Sequence, residues 1–148
     1  METPRDGLLG RLSMAWADFS WRADAVPSDR WEAPTSAGWS VRAMLAHVAA
    51  WHDATAFRLR RYAATGKPQP KVEPDDDAFN ARVVADTVDS PPDVVRRSLD
   101  GSYERLWAAI AALPADLDAE GWVEAVVTGN SIGHYEEHRS ELESIVRG

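Results

Sequence analysis

The sequence from residue 38 to residue 51 reads GWSVRAMLAHVAAW. It has a typical helix start, because the Ser40 hydroxyl can accept a hydrogen bond from an otherwise unpaired first-turn N–H. Ala43, His47 and Trp51 then recur at every fourth residue and share one face of the predicted helix. Because this is the core-facing side, we expect His47 to point inward, where an imidazole needs a hydrogen-bonding partner or a metal ion.

His52 lies on the same predicted helix as His47 but on another side of it. Five residues correspond to a rotation of roughly 140° about the axis of an α-helix. The spacing therefore predicts that His52 faces a helix edge or solvent, and we leave it outside the candidate site.

A second pair of histidines occurs near the end of the chain, where residues 133–138 read GHYEEH. The i, i+4 spacing of His134 and His138 places both imidazoles on one helix face, about 6 Å apart along the axis. The stretch differs from the zincin protease motif, which needs Glu directly after the first histidine, where this chain has Tyr135. By itself the pair is equally consistent with two metal ligands and with a surface or packing pair.

Two further amphipathic helices are predicted. The first covers about residues 5–25, because apolar residues recur there at three- to four-residue intervals. These residues are Leu8, Leu12, Trp16, Phe19 and Val26. The second starts with Ser90 as cap and Pro91 in the first turn and runs to Pro114. Its apolar seam consists of Val95, Leu99, Ser102, Leu106, Ile110 and Leu113.

The link between residues 66 and 90 contains an acidic run, Asp75–Asp77, followed by a predicted short helix over residues 77–87. The run lacks the glycine and the distal glutamate of a calcium loop. We interpret it as a solvated charge cluster at the N-terminus of the short helix, where negative charge is favourable. Asn80, within this helix, could cap the chain locally or face a pocket.

Together these patterns predict an all-α fold, a four-helix bundle with long crossover connections, formed by residues 1–148 as a single domain. If the second and the last helix face each other, His47, His134 and His138 converge. Zn²⁺ in catalytic sites typically has three protein ligands and one open position, which such a set would provide. Glu141 lies on the same helix face as His134 and His138 and is a candidate for orienting them.

Composition restricts the function and the compartment. The net charge of −8 argues against nucleic-acid binding, which needs a basic surface. The absence of cysteine excludes disulfides and thiolate metal ligands. No stretch approaches the ~20 apolar residues of a membrane span. We expect a cytoplasmic protein that does not bind a membrane, and we attribute the abundant Ala and Arg to the coding bias of a GC-rich bacterium.

Residues 38–51, quoted above, and residues 129–138, which read GNSIGHYEEH, resemble the second-helix and last-helix signatures of the DinB-like superfamily. Asp77–Asn80 and the ending Asn-x-x-x-His-Tyr-x-x-His are most similar to its ClbS/DfsB branch, which is related to the mycothiol-dependent maleylpyruvate isomerases. The resemblance implies a four-helix bundle, often dimeric, with a divalent-metal site at three histidines, His47, His134 and His138. It also implies thiol transferase or hydrolase activity on electrophilic small molecules.

Two main hypotheses follow. The first is a metal-dependent enzyme in which Zn²⁺ or Ni²⁺ activates water or a low-molecular-weight thiol against a small electrophilic substrate. Trp51, Asn80 and Tyr135 are its candidates for substrate contact. The second is a metal-free protein of the ClbS/DfsB type that binds or hydrolyses a reactive metabolite, with the histidines as hydrogen-bonding or acid–base groups. A bundle whose site has lost its activity is a third interpretation.

Overall fold

The computed structural model describes residues 1–36, 38–117 and 120–147. Within these ranges the chain forms helices and no β-strand. The α-helices are α1 (Pro4–Asp24), α2 (Val41–Thr65), α3 (Asp76–Asp86), α4 (Pro92–Ala111), α5 (Trp122–Val127) and α6 (Gly133–Arg147). A π-helical segment, Thr128–Ile132, joins α5 to α6 and is called the π-turn below. No described helix combines the length and the apolar character needed to cross a bilayer.

Four long helical segments lie within the described residues, which confirms the predicted all-α bundle. They are α1, α2, α4 and the continuous run from α5 through the π-turn into α6. This run is continuous because Val127, Thr128 and Gly133, at its two junctions, all have right-handed helical dihedrals. The long crossover between α2 and α4 carries α3, which packs on α2.

Helix starts follow the local chemistry read from the sequence. The Ser40 hydroxyl accepts from the Ala43 N–H at 3.0 Å, as predicted. Asp75 caps α3 by accepting from the Asp77 and Ala78 N–H groups, so the acidic run is the predicted N-terminal cluster. The predicted start of α4 is one residue too early, because Pro91 is extended and α4 begins at Pro92. A residue that precedes proline is sterically disfavoured in the α conformation.

The core contains the apolar residues that helical periodicity identified. All six residues of the predicted α4 seam are buried, including Ser102. In α1, Leu8, Leu12 and Phe19 are at most 1% exposed. These helices therefore each bury one stripe, as expected for the outer members of a bundle.

The helix α2 is different, because it is covered on several sides. Every residue from Val41 to Ala49 is buried. The prediction that His52 faces a helix edge or solvent is wrong, since its side chain is fully buried between α1, α4 and α6. A single amphipathic face is a poor description of a central helix, and the helical angle alone could not identify His52 as a core residue.

Candidate metal centre

His47 of α2 and the pair His134 and His138 of α6 lie together, as the sequence predicted. Their ring centroids are 5.1 Å apart for His47 and His134, and 5.7 Å apart for His47 and His138. The rings of His134 and His138 are 6.3 Å apart. His47 and His138 are each only 5% exposed. Three imidazoles thus form one largely buried cluster between two helices.

The tautomer of His47 is fixed by its neighbours. Asn80 Oδ1 lies 3.0 Å from Trp51 Nε1 and 2.9 Å from His47 Nδ1. An indole N–H can only donate, so this atom of Asn80 must be the amide oxygen. The same oxygen then accepts from His47 Nδ1–H. The lone pair of the neutral His47 ring is therefore on Nε2, the nitrogen available to a metal ion or to a proton.

His138 is oriented in the same way by a carboxylate. Its Nδ1 lies 2.9 Å from Glu141 Oε1, while the other carboxylate oxygen of Glu141 accepts from the Ser36 N–H at 2.7 Å. Burial opposes ionisation of Glu141, but the hydrogen bonds from His138 and Ser36 outweigh it and hold the pKa of Glu141 below its ordinary value. The ionised carboxylate accepts the Nδ1 proton, which leaves the lone pair of neutral His138 on Nε2.

His134 differs from His47 and His138 in the surroundings of its Nδ1 atom. Its Nδ1 is buried and has no hydrogen-bonding partner, and it is the single such side-chain atom within the described ranges. An unsatisfied buried polar atom costs about 1–3 kcal/mol, so it usually has an explanation such as a missing ion or water molecule. The orphaned nitrogen belongs to the same cluster in which the other two rings are held by acceptors.

Electrostatics keep His47 and His134 neutral near pH 7. Burial is the main cause that lowers the pKa of His47 to about 3, and the neighbouring His134 and His138 lower it further. Burial, followed by the neighbouring His138, also lowers the pKa of His134. Neutral imidazole is the form that binds metal ions. His47 and His134 are therefore already in the form that binds a metal ion.

The donor set fits a divalent ion in its chemistry. Two rings have an acceptor on Nδ1, the outer-shell arrangement usual for metal-bound histidine. Tetrahedral Zn²⁺ with bonds of about 2.0–2.1 Å to nitrogen places neighbouring ring centroids about 5 Å apart, close to the shortest separation here. In the present rotamers, no three or more His, Cys, Asp or Glu residues in the described parts of the chain already form a group that could hold a metal ion.

Aromatic rings enclose the three histidines. Trp51 packs edge-on against His134, with ring centroids 5.5 Å apart, and Phe79 of α3 packs behind Trp51. Trp39 contacts His47, with ring centroids 5.0 Å apart. Trp51 was predicted from the sequence as a contact residue, and Trp39 was not. The Gly38-Trp39-Ser40 start could have indicated it, because a residue just before a helix cap lies near the first turn.

The remaining sequence candidates have different places. Asn80 contacts His47 directly, so it orients a ring of the cluster. Tyr135 lies outside the cluster: it is 3% exposed, and its ring stacks on Phe19 at 4.8 Å. Residues adjacent on a helix point about 100° apart, which turns Tyr135 into the core while His134 faces α2. We therefore omit Tyr135 from the proposed substrate contacts.

Tyr135 instead belongs to a buried hydrogen-bonded chain with His52 and Ser102. Ser102 Oγ donates to the Leu99 carbonyl and therefore accepts from His52 Nδ1 at 2.9 Å. His52 Nε2 then accepts from the Tyr135 hydroxyl, whose pKa is raised by burial and which keeps its proton. Each donor has one acceptor, so this chain satisfies a fully buried imidazole and joins α2, α4 and α6.

One prediction concerns Glu141. Glu141→Gln keeps the shape of the side chain but removes the charge of the group that accepts from His138 Nδ1. Because changes to the partners of metal-bound histidines typically cost 10–100-fold, we expect zinc affinity to fall about tenfold. Competition with a chromophoric chelator measures it.

Glu136→Gln is the matched control for this prediction. Glu136 lies in the same helix and is exposed, so its neutralisation should leave zinc affinity within about twofold of the wild-type value. An equal loss in both variants would mean that the overall negative charge, and not contact with His138, determines affinity.

The fold and the cluster define a class of protein: a helical bundle with inward histidines on two facing helices. The chain belongs to the family of mycothiol maleylpyruvate isomerase N-terminal domains, whose family model matches residues 12–139. No curated protein matches the chain significantly.

Three solved structures share the DinB-like fold. An uncharacterised protein from Escherichia coli UTI89 has a TM-score of 0.79 and 13% identity, over 99% of this chain and 94% of that chain. The sibling lethal factor precursor DfsB has a TM-score of 0.77 and 12% identity, over 97% and 95%. A histidine-to-alanine mutant of the mycothiol-dependent maleylpyruvate isomerase has a TM-score of 0.74 and 20% identity, over 96% of this chain and 63% of that chain. The predicted relationship to the maleylpyruvate isomerases is thereby confirmed at the level of the family, and the predicted likeness to DfsB is confirmed at the level of the fold.

Proposed function

We propose that this protein is a metal-dependent enzyme that holds a divalent cation, Zn²⁺ or Ni²⁺, with His47, His134 and His138. The observation that carries the proposal is the tautomeric state of the cluster. Two rings have their Nδ1 proton held by an acceptor, which leaves Nε2 as donor, and the third has an orphaned buried nitrogen. Packing alone would also provide acceptors for the Nδ1 protons of His47 and His138, but it leaves the orphaned nitrogen of His134 unexplained.

The chain's own residues would have separate roles. Asn80 and Glu141 hold the rings of His47 and His138 in one tautomer. Trp51, whose indole N–H also bonds Asn80, forms a wall of the site and is the proposed substrate contact. Two of the three rings are thus already oriented, and closing the ligand set around the ion would still need changes of rotamer.

The chemistry proposed is attack of water or a low-molecular-weight thiol on a small electrophilic molecule. A divalent ion supplies charge that lowers the pKa of such a nucleophile toward neutrality. Three histidine ligands leave at least one coordination position open for it. The match to a family named for a mycothiol-dependent isomerase supports a thiol as cosubstrate.

A second candidate function is metal-free capture or hydrolysis of a reactive metabolite. The observations that favour it are the likeness to DfsB over nearly the whole of both chains and the lack of a closed ligand set among the described residues. In this case the three histidines would act through hydrogen bonding and proton transfer.

Metal analysis of protein purified without a histidine tag separates the two functions. We expect about one Zn²⁺ or Ni²⁺ per chain, as purified or after reloading, as for a catalytic site with three protein ligands. Protein that stays empty after incubation with either ion would reject the metal-dependent enzyme. Turnover of electrophilic test compounds with and without an added thiol then identifies the nucleophile.

A further inference from the structure

The π-turn lies immediately before the two histidines of α6. Its defining hydrogen bond runs from the Gly133 N–H to the Thr128 carbonyl, five residues back instead of the four of an α-helix. The turn thus contains one residue more than an α-helical turn. In addition, the Ser131 hydroxyl donates to the Val127 carbonyl, four residues back.

The extra residue changes which side of α6 faces the core. Val123 and Val127 before the turn and Tyr135 after it are all buried. In an uninterrupted α-helix, the twelve residues from Val123 to Tyr135 would rotate the side chain by about 120°. The extra residue in the turn compensates for about 100° of this rotation. The side chains of Val123, Val127 and Tyr135 therefore lie on the same face. His134 and His138 consequently point toward α2.

We propose that the π-turn is a positioning element for the histidine cluster and that Gly133 is its positioning residue. This positioning role rests on the proposed function in its effect on metal affinity, because that effect assumes that the cluster of His47, His134 and His138 binds a metal ion. It adds that the affinity of the centre for its ion depends on the geometry of a backbone segment that supplies no ligand itself.

Gly133 is needed for space and not for an unusual conformation. Its dihedrals, φ −61° and ψ −40°, are those of an ordinary helical residue. A Cβ atom there would lie 3.3 Å from the Thr128 carbonyl oxygen, the acceptor of the defining hydrogen bond. Alanine would therefore push on the atom that holds the turn open and would favour the α-helical alternative, which rotates His134 away from His47.

Gly129 provides the matched control, because it lies inside the π-turn and a Cβ atom there meets nothing within 4 Å. Both Gly→Ala changes gain similar intrinsic helix propensity, so comparison of the two isolates the contact with Thr128. We expect Gly133→Ala to lower zinc affinity at least about tenfold and Gly129→Ala to leave it within about twofold. Circular dichroism and thermal unfolding without metal verify that both variants fold.

A rescue variant tests the geometry itself. Deleting Gly129 in the Gly133→Ala background removes the extra residue, so that the segment can close as an α-helix without changing the faces on either side. We expect zinc affinity to return to within about threefold of the wild-type value. Failure to recover, or equal affinities of Gly133→Ala and Gly129→Ala, overturns the proposed positioning role.

A readout without metal separates this inference from the proposed function. The rings of His47 and His134 are 5.1 Å apart, close enough for a proton–proton NOE between them. We expect this NOE in the wild type and in Gly129→Ala and its loss in Gly133→Ala. If the wild type binds no zinc but the NOE behaves as expected, the metal function is rejected and the positioning role stands. If the NOE persists in Gly133→Ala, the positioning role is rejected.

Discussion

Replacing His138 with alanine is expected to lower the affinity for Zn²⁺ near pH 7 by at least about 100-fold, a larger effect than the 10–100-fold cost of losing a partner of a ligand. His47→Ala should have a similar effect. Each change leaves two of the three proposed ligands and also releases its orienting partner, Glu141 or Asn80. Competition titrations with a chelator measure affinity, and far-UV circular dichroism should show nearly unchanged helix content.

His52 provides the control within the same chain. It is the one histidine outside the cluster, and His52→Asn should leave zinc affinity within about threefold of the wild-type value wherever the variant is folded. A loss comparable to that of His138→Ala would mean that affinity follows the stability of the bundle. Undiminished affinity in His138→Ala or in His47→Ala would remove that residue from the site.

The metal-free protein is expected to lose stability steeply in acid. Burial is the main cause that lowers the pKa of both His47 and His52 to about 3, from 6.5 in the reference state. Because the unfolded chain binds these protons more readily than the folded chain does, their neutral state favours folding above about pH 6.5, and stability is lost as the pH falls toward about 3. At about 1.4 kcal/mol per pH unit for each histidine, the two together cost about 4 kcal/mol at pH 5 relative to pH 7.

Urea unfolding of chelator-treated protein between about pH 5 and 7.5 tests this expectation. His52→Asn removes one of the two groups, so its free energy of unfolding should depend less steeply on pH, by about 1.4 kcal/mol per pH unit. Its stability at pH 7 should also be lower, because Ser102 and Tyr135 lose their buried partner. A pH dependence as steep as that of the wild type would show that His52 does not stay neutral in the folded protein.

Much of the fold could be predicted because its signals are local. The α4 seam follows from periodicity alone, and the Ser40 and Asp75 caps follow from the chemistry of one hydroxyl and one carboxylate. The convergence of His47 with His134 and His138 could also be predicted. The positions of residues along a helix are fixed by its geometry, so it had to be assumed only that the second and the last helix face each other.

The features that could not be predicted depend on interruptions and on surroundings. A helical wheel assumes 100° per residue, so it cannot anticipate the π-turn. One pattern in the sequence corresponds to the π-turn: buried residues recur there at every fourth position, at Val123, Val127, Ser131 and Tyr135. The burial of His52 depends on contacts with three other helices, and the sequence of α2 does not show which of them cover this residue.

The sequence of the helix α3 can change separately from the sequences of the long helices. None of its residues is buried, yet its Asn80 fixes the ring of His47 and its Phe79 supports Trp51. Substitutions in α3 can therefore alter the lining of the site while the apolar core of the long helices, which determines stability, stays the same. Varying the exposed residues of Asp76–Asp86 is therefore expected to change the surroundings of the proposed site with little effect on the core, whereas Val83 packs against the core and is best kept.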